Sequence, residues 1–565
     1  MPKGSAGHAP STPASDTPPV SLPHAFLPSR ACAAALLVAG LALPAAAQPA
    51  AAPEPAPRFA ILEFEVDGNS VLPVTTIEKA VMPFMGEQRE LADVEKAREA
   101  LERAYQQAGY LTVFVDVPEQ RVDGGVVRLQ VTEGRVERLR ITGSRYYSQG
   151  AIRERLPELA EGQVPNFNAV QQQVAQLQRP ERQLQPVLRP GRDPGTVEAE
   201  LKVTDQLPLS GSVELTNRHA AGTSATRLSA TLRYDNLFQR DHGLSLTAIV
   251  APQEPSESKV LVANYTAPLS ATDTLVGYLV VSDSLLEPVG AVSVLGKGTT
   301  LGLRWMRSFA GSGSFHSLVL GADYKRLDQR TDVADLNAVT NPLRYVPLQL
   351  GYNGQWGSDW GQTTVNTSFV FGVKALLMRS IACTSDGNVG PIDQFQCSRN
   401  GADGGFGYWR GDARHSLPLA GGLLSGRLGW QLASQPLVSG EQYSLGGAET
   451  VRGYLEAEAA GDHALLGSLE WRSPNLLGAR SAEGEPLPSA HEIALLAFLD
   501  AARATTIDPF PGQPGRVPLL GSGLGLRLKL ASTAQAELDL AWPHKRTSAT
   551  PDGGARLHVR LLAQF

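Results

Sequence analysis

The chain has 565 residues, 42% of them hydrophobic and 19% charged, with a formal net charge of −6. Its negative mean hydropathy argues against a bundle of membrane helices, each of which needs a run of about 20 apolar residues. A transmembrane β-barrel escapes that limit, because only every second strand residue faces lipid. The acidic balance gives no reason to expect nucleic acid, and 56 glycines with 40 prolines fit a turn-rich all-β region.

Residues 1–29 are polar and proline-rich, Arg30 precedes an apolar run over 31–43, and Pro44 leads into Ala45, Ala46 and Ala47. That order suits signal-peptidase cleavage before Gln48, so residues 1–47 read as a signal peptide. Cys32 lies at the start of the apolar run rather than after it, which argues against a lipoprotein anchor. Residues 48–58 form a Pro/Ala-rich linker containing Pro49, Pro53, Pro55 and Pro57, too short and too broken for a spanning helix.

From 59 to 134 the pattern is that of a small α/β module. A strand over 59–66 ends in Asp67-Gly68-Asn69, and two helical stretches follow. The second carries Val94, Ala97, Leu101, Ala104 and Ala108 on one face, with Gly109 where a helix stops. Leu111, Val113, Val115 and Val117 then alternate as in a half-buried strand, and Val127, Leu129 and Val131 make another that ends at Glu133-Gly134. The β-α-α-β-β order repeats over 135–207. Leu139 and Ile141 make a strand before Gly143, Ile152 and Leu156 lie on a short helix, and Asn168 is the expected N-cap of a helix bearing Val170, Val174 and Leu177. Strands around Val187-Leu188 and over 197–203 flank Pro190-Gly191, so the two units form an internal repeat.

After Pro208 no helical period survives. Leu228, Ala230, Leu232 and Tyr234 alternate with polar neighbours, as do Leu244, Leu246, Ala248 and Val250, and Leu318, Leu320, Ala322 and Tyr324. A soluble sandwich would show the same alternation; export and length favour a barrel in a membrane. Cys383 and Cys397 flank a polar stretch and, in an oxidising compartment, are expected to form a disulfide that closes a surface loop. Two cysteines without clustered histidines do not suggest a metal site. The chain ends in the alternating Leu557, Val559, Leu561, Ala563 and Phe565. Inside the barrel region stand Leu445-Gly446-Gly447-Ala448-Glu449-Thr450-Val451-Arg452-Gly453-Tyr454, then Gly461-Asp462, Glu470 and Pro474, and later Phe498-Leu499-Asp500.

These motifs carry a family resemblance. Ala108-Gly109-Tyr110, Val117-Pro118-Glu119-Gln120, Asp123-Gly124-Gly125-Val126 and Val131-Thr132-Glu133-Gly134 resemble the first POTRA domain of two-partner secretion transporters, the haemolysin secretion/activation family of the POTRA-barrel superfamily. Pro190-Gly191 and Pro194-Gly195-Thr196 resemble the second POTRA domain. Asn217-Arg218, Gly222 and the run from Leu232 to Phe238 resemble the first barrel hairpin. Val451-Arg452-Gly453-Tyr454 is similar to the motif of the family's sixth loop, and Phe498-Leu499-Asp500 to its inner-wall motif.

The resemblance implies α+β periplasmic POTRA repeats (59–134 and 135–207) followed by an all-β transmembrane barrel of 16 antiparallel strands over 208–565. About 22 residues per strand and connection suit spans of roughly 10 residues, and the length alone would also accommodate about two strands more or fewer. It further implies that the loop around 441–463 folds back into the lumen on Gly446, Gly447 and Gly453, and that Arg452 meets Asp500 on the wall. Phe565 would close the strand read by the barrel assembly machinery.

The implied function is secretion of a haemolysin- or adhesin-like partner exoprotein from the periplasm through the outer membrane, amid its lipid, without ATP. An assembly insertase is the alternative, and a passive porin a weaker one, since porins need no POTRA domains. With the linker too short for a plug helix, the lumen loop is the expected occluder. No nucleophile, phosphate-cradling loop or histidine cluster appears, and Glu449 reads as loop polarity, so neither an enzyme nor a cofactor is expected.

Overall fold

The structure is a computed structural model that describes residues 57–565 apart from 123, 290–291, 332–338, 377–379, 384–389, 479–489, 510–511 and 552. The expected signal peptide, and all of the linker but its last two residues, lie outside the described residues.

In the first unit, Glu63–Asp67 runs parallel to Val126–Glu133, which pairs antiparallel with Val113–Asp116. Helices Val74–Val81 and Leu91–Gln107 cover this sheet, burying Ile77, Leu101, Tyr105, Leu129 and Val131 in one core. Glu90 and Asp93 close a capping box at the start of the long helix. Gly109 follows its end at φ +98°, where a side chain would be strained.

The strand expected over 59–66 is broken. Phe59–Ile61 pairs instead with Gly86–Arg89. The break falls at Leu62 because the amides of Leu62 and Glu63 both donate to the Gly125 carbonyl, at 2.7 and 3.2 Å. One acceptor holding two successive donors turns the chain.

The second unit repeats the plan, with Arg135–Thr142 parallel to Thr196–Asp205 and Arg182–Pro190 antiparallel to it. Its second helix, Phe167–Leu177, is capped by Asn166 rather than by the expected Asn168. Asn166 has the extended backbone that a cap requires, and its side-chain oxygen accepts from the amides of Asn168 and Ala169 at 3.1 and 3.3 Å. Asn168 lies inside the first turn. The Asn166 side-chain Nδ2 also donates to the Ala108 carbonyl at 2.9 Å, joining the end of the first unit's long helix to the start of this one.

Beyond Pro208 the described residues form a closed antiparallel barrel of sixteen staves, the eighth broken at Val346 into Val339–Tyr345 and Pro347–Ser358. Closure comes from the last strand, Arg556–Gln564, pairing antiparallel with the first, Leu209–Thr216. Asn217 prolongs the seam through its side chain, donating to Leu557 O at 2.6 Å and accepting from Val559 N at 2.8 Å. The Phe565 backbone exchanges hydrogen bonds with Gly211 at 3.0 and 3.1 Å. Its ring lies on Gly211, where a β-carbon would come within 2.4 Å of it.

Leu246, Leu261, Leu301 and Leu320 are exposed on the outer face, as lipid contact requires. Their neighbours in alternate positions, such as Arg304 and Asp323, pair inside at 2.6 Å.

The barrel is keyed to the second unit through the turn after its second strand. Phe238, Gln239 and Asp241 all have φ near +58°, at +59°, +57° and +58°, a region that costs a non-glycine residue roughly 1–2 kcal/mol. Contacts with the α/β unit offset that cost. Arg182 grips Asp241 bidentately at 3.0 and 3.0 Å, and Arg155 adds a third bond at 2.5 Å. Ser148 N donates to Gln239 Oε1 at 2.8 Å.

Burial opposes ionisation of Asp241, yet the two guanidinium groups hold its carboxyl below the ordinary value of 3.8. A carboxyl lowered on folding stabilises fully above its unfolded value and loses that contribution as the pH falls through the folded one. The contact should therefore be at full strength at neutral pH and weaken only below 3.8. Hydrogen exchange over residues 236–242 should match at about pH 7 and about pH 5 once corrected for intrinsic rates; opening already within that interval would contradict it.

Candidate functional site: the loop inside the barrel

Residues 434–462 connect the strands Gly422–Ala433 and His463–Arg472. Within them Tyr443–Leu445 pairs with Ala459–Gly461 as a narrow hairpin. Its tip turns on Gly446 and Gly447, at φ +107° and +90°; a β-carbon on Gly447 would lie 2.2 Å from the Glu456 carboxyl carbon. Val451 and Tyr454 are fully buried, in a cluster with Leu445, Leu466, Ala502 and Leu519, so the loop docks on the wall with an apolar face. The Tyr454 hydroxyl lies 2.8 Å from the Lys545 carbonyl and accepts from the Lys545 amide at 3.1 Å.

Arg452 stands at the centre of the docked tip. Its Nε and Nη2 donate to the two oxygens of Asp500 at 2.8 and 3.0 Å, and its own backbone amide adds a third bond to the same carboxylate at 3.1 Å. Nη1 reaches Glu470 at 2.8 Å and approaches Asp539 to 3.8 Å. The guanidinium lies over the Phe498 ring, 3.5 Å from its centroid, an arrangement that suits its planar, weakly hydrated cation. Asp500 is 1% exposed at its side chain and Arg452 8%. Ser468 donates to Asp500 at 2.6 Å, and the Gly453 amide donates to His558 Nε2 at 2.9 Å. Glu449 pairs with Arg218, and its carbonyl accepts from Arg427 at 2.7 Å.

The fold brings together Arg452, Asp500, Phe498 and the loop glycines, the residues to which the motifs point. Ser468, Glu470, Asp539 and His558 join them without a motif role in the sequence. The floor on which the loop lies is a further part of the site. The strand Arg516–Leu530 carries Gly521, Gly523 and Gly525 at alternate positions. A β-carbon on Gly521 would come within 2.0 Å of the Arg452 carbonyl oxygen, and one on Gly523 within 2.5 Å of the Phe498 ring. Glycine at every second residue of an otherwise leucine-rich strand was the available sign of a surface that must admit another backbone.

Cys397 is disulfide-bonded and sits in the short helix Gln394–Ser398. The side chain of its expected partner, Cys383, lies outside the described residues.

A closed outer-membrane-type barrel, preceded by α/β repeats and crossed by a loop pinned to its wall through a buried arginine, defines a POTRA-barrel transporter. The chain belongs to the haemolysin secretion/activation protein ShlB/FhaC/HecB family, whose profile matches residues 195–528; residues 59–134 match the ShlB-type POTRA domain.

Among curated relatives, the outer membrane transporter CdiB of Dickeya dadantii is 24% identical over 74% of this chain and 73% of its own length. The CdiB of Escherichia coli O6:K15:H31 is also 24% identical, over 74% and 69%. Among solved structures, CdiB from Escherichia coli superposes with a TM-score of 0.59 at 20% identity, over 91% of this chain and 92% of that one. BamA from Haemophilus ducreyi, lacking its first three POTRA domains, reaches 0.52 at 14% identity, over 90% and 100%. These structural likenesses are likenesses of fold. The protein is an outer-membrane transporter of two-partner secretion, with its POTRA region in the periplasm, and it exports a partner exoprotein.

Proposed function

We propose that residues 59–134 and 135–207 act as two POTRA domains that receive the unfolded exoprotein, a haemolysin- or adhesin-like chain. The barrel over 208–565 then passes it outward, without ATP, when the loop around 441–463 leaves the lumen. The grip of Arg452 on Asp500 and Glu470 carries this reading. A buried guanidinium–carboxylate pair gains little over the same groups in water, because attraction and desolvation nearly cancel. In a lumen that can fill with water, such a pair can be exchanged for hydrated charges at small net cost. That makes it suited to a reversible closure.

The space beneath the loop is lined by Arg414, Arg427 and Arg560 together with Glu470, Glu537 and Asp539. Mixed charge offers an extended polypeptide no continuous apolar surface to adhere to. With no nucleotide in the periplasm, direction would come from capture by the POTRA domains and from folding of the exoprotein outside. Reconstituted in liposomes with its exoprotein and no nucleotide, the protein should carry that chain to the far, protease-protected side. A folded, correctly oriented barrel that moves none would refute the proposal.

A further inference from the structure

The lumen loop is also held by buried ion pairs away from its tip, and the one at its last limb has a fully enclosed carboxylate. The second α/β unit leads into the first strand from the periplasm and strands then alternate in direction, so the connections after odd-numbered strands open on the cell exterior. Asp462, fully buried, closes the loop just before the twelfth strand, His463–Arg472. Its carboxylate accepts from both terminal nitrogens of Arg399 at 2.6 and 2.7 Å, from the amides of Leu437 and Ile507 at 2.9 and 2.7 Å, and from Gln442 at 3.1 Å.

Arg399 belongs to a different connection, the one between Gly361–Gly372 and Gly407–Leu419, the ninth and tenth strands. It also donates to the carbonyls of Leu437 and Ile507 at 2.6 and 2.9 Å. One side chain thus ties the first and last limbs of the lumen loop to each other and to the connection after the thirteenth strand.

Its position is fixed from behind. The Arg399 amide donates to Phe395 O at 2.8 Å, ending the helix that contains the disulfide-bonded Cys397. Phe395 is buried with Tyr345, Phe406, Leu437 and Val438. Beside it, buried Glu441 in the first limb of the loop accepts from Lys325, Tyr345 and Tyr408 at 2.5, 2.6 and 2.7 Å.

We propose that Arg399 and Asp462 are a second, outer lock on the lumen loop, independent of Arg452. Arg452 holds the tip against the wall, and Arg399 holds the two limbs where they enter the barrel. Release of the tip alone leaves the hinge of the loop fixed. A full withdrawal needs both pairs to open, together with the contacts of Glu441 with Lys325, Tyr345 and Tyr408, and the outer pair is set by a neighbouring surface loop that an emerging exoprotein would meet. This inference rests on the reading that the loop closes the pore.

The test compares Arg399→Ala, Arg399→Lys, Arg452→Ala and the double alanine variant of the full chain. It uses planar-bilayer conductance and hydrogen exchange, with heat-modifiable migration on gels as the check of folding. Arg399→Ala should raise the open probability at least about threefold, and its effect should multiply with that of Arg452→Ala, as independent sites require. Exchange over Tyr443–Leu445 and Ala459–Gly461 should accelerate about tenfold while the amides of Arg452 and Gly453 stay protected. Arg399→Lys, charged but unable to bind bidentately, should fall between, and it carries the same comparison if the alanine variant does not assemble.

A folded Arg399→Ala barrel with wild-type conductance and exchange, beside an Arg452→Ala barrel that conducts, would overturn the outer lock and leave the function standing. If neither variant altered conductance, the loop would not be the closure, and both readings would fall.

Discussion

Replacing Arg452 by alanine should leave a folded barrel whose lumen loop undocks and which conducts ions at least about tenfold more readily than the native protein. Without the guanidinium, Asp500, 1% exposed at its side chain, and Glu470 lose the cation they share, while Asp539 keeps its bidentate partner Arg527 at 2.6 and 2.9 Å. Leaving one partner of a buried pair uncompensated costs typically 3–5 kcal/mol, a factor of roughly 150 to 5,000 in the equilibrium between docked and undocked loop. The barrel should survive, because its staves are held by backbone ladders to which Arg452 contributes nothing.

Arg452→Lys should not restore the native state. A single ammonium cannot span both oxygens of Asp500 and reach Glu470 as the planar fork does. Conductance in planar bilayers, read beside secretion by intact cells, checks both variants. An Arg452→Ala channel as quiet as the native one would mean that the loop stays docked without its ion pair.

Much of the architecture is legible in the sequence because it follows from periodicity. The long helix of the first unit shows its buried face at Val94, Ala97 and Leu101, and the barrel announces itself by strands alternating over hundreds of residues. The pairing of Arg452 with Asp500 is legible only through motifs, since 48 residues separate the two and no local pattern links them.

What stayed hidden depends on contacts between distant segments. Gly86–Arg89 has no alternating apolar face and is a strand only because Phe59–Ile61 lies beside it. The turn at Phe238–Asp241 contains no glycine, and its left-handed backbone is imposed by Arg182, Arg155 and Ser148 from another unit. Asn166 and Asn168 are equally good caps by residue type, and the backbone entering the helix decides between them. Arg399 and Asp462 sit in loops, where a single charged residue carries no periodic sign of burial.

Gly521→Ala separates the shape of the site from its charge. Gly521 has none of the positive φ that would reserve the position for glycine, so alanine suits the strand itself. The added carbon would nevertheless stand 2.0 Å from the carbonyl oxygen of Arg452 and 3.2 Å from its carbonyl carbon. Both are backbone atoms of the docked tip, which cannot swing aside as a side chain can. Overpacking of this kind costs about 1–3 kcal/mol when the surroundings are able to shift. Here the element most able to shift is the loop.

The variant should therefore reproduce the raised conductance of Arg452→Ala while keeping every charge in place. Gly426→Ala and Gly467→Ala, on the eleventh and twelfth strands where a β-carbon meets nothing within 4 Å, should behave as the native protein. A native-like Gly521→Ala would show that the tip does not lie against this strand. The cation and its carboxylates would then meet in some other geometry, and the glycine stripe would have no part in holding the loop.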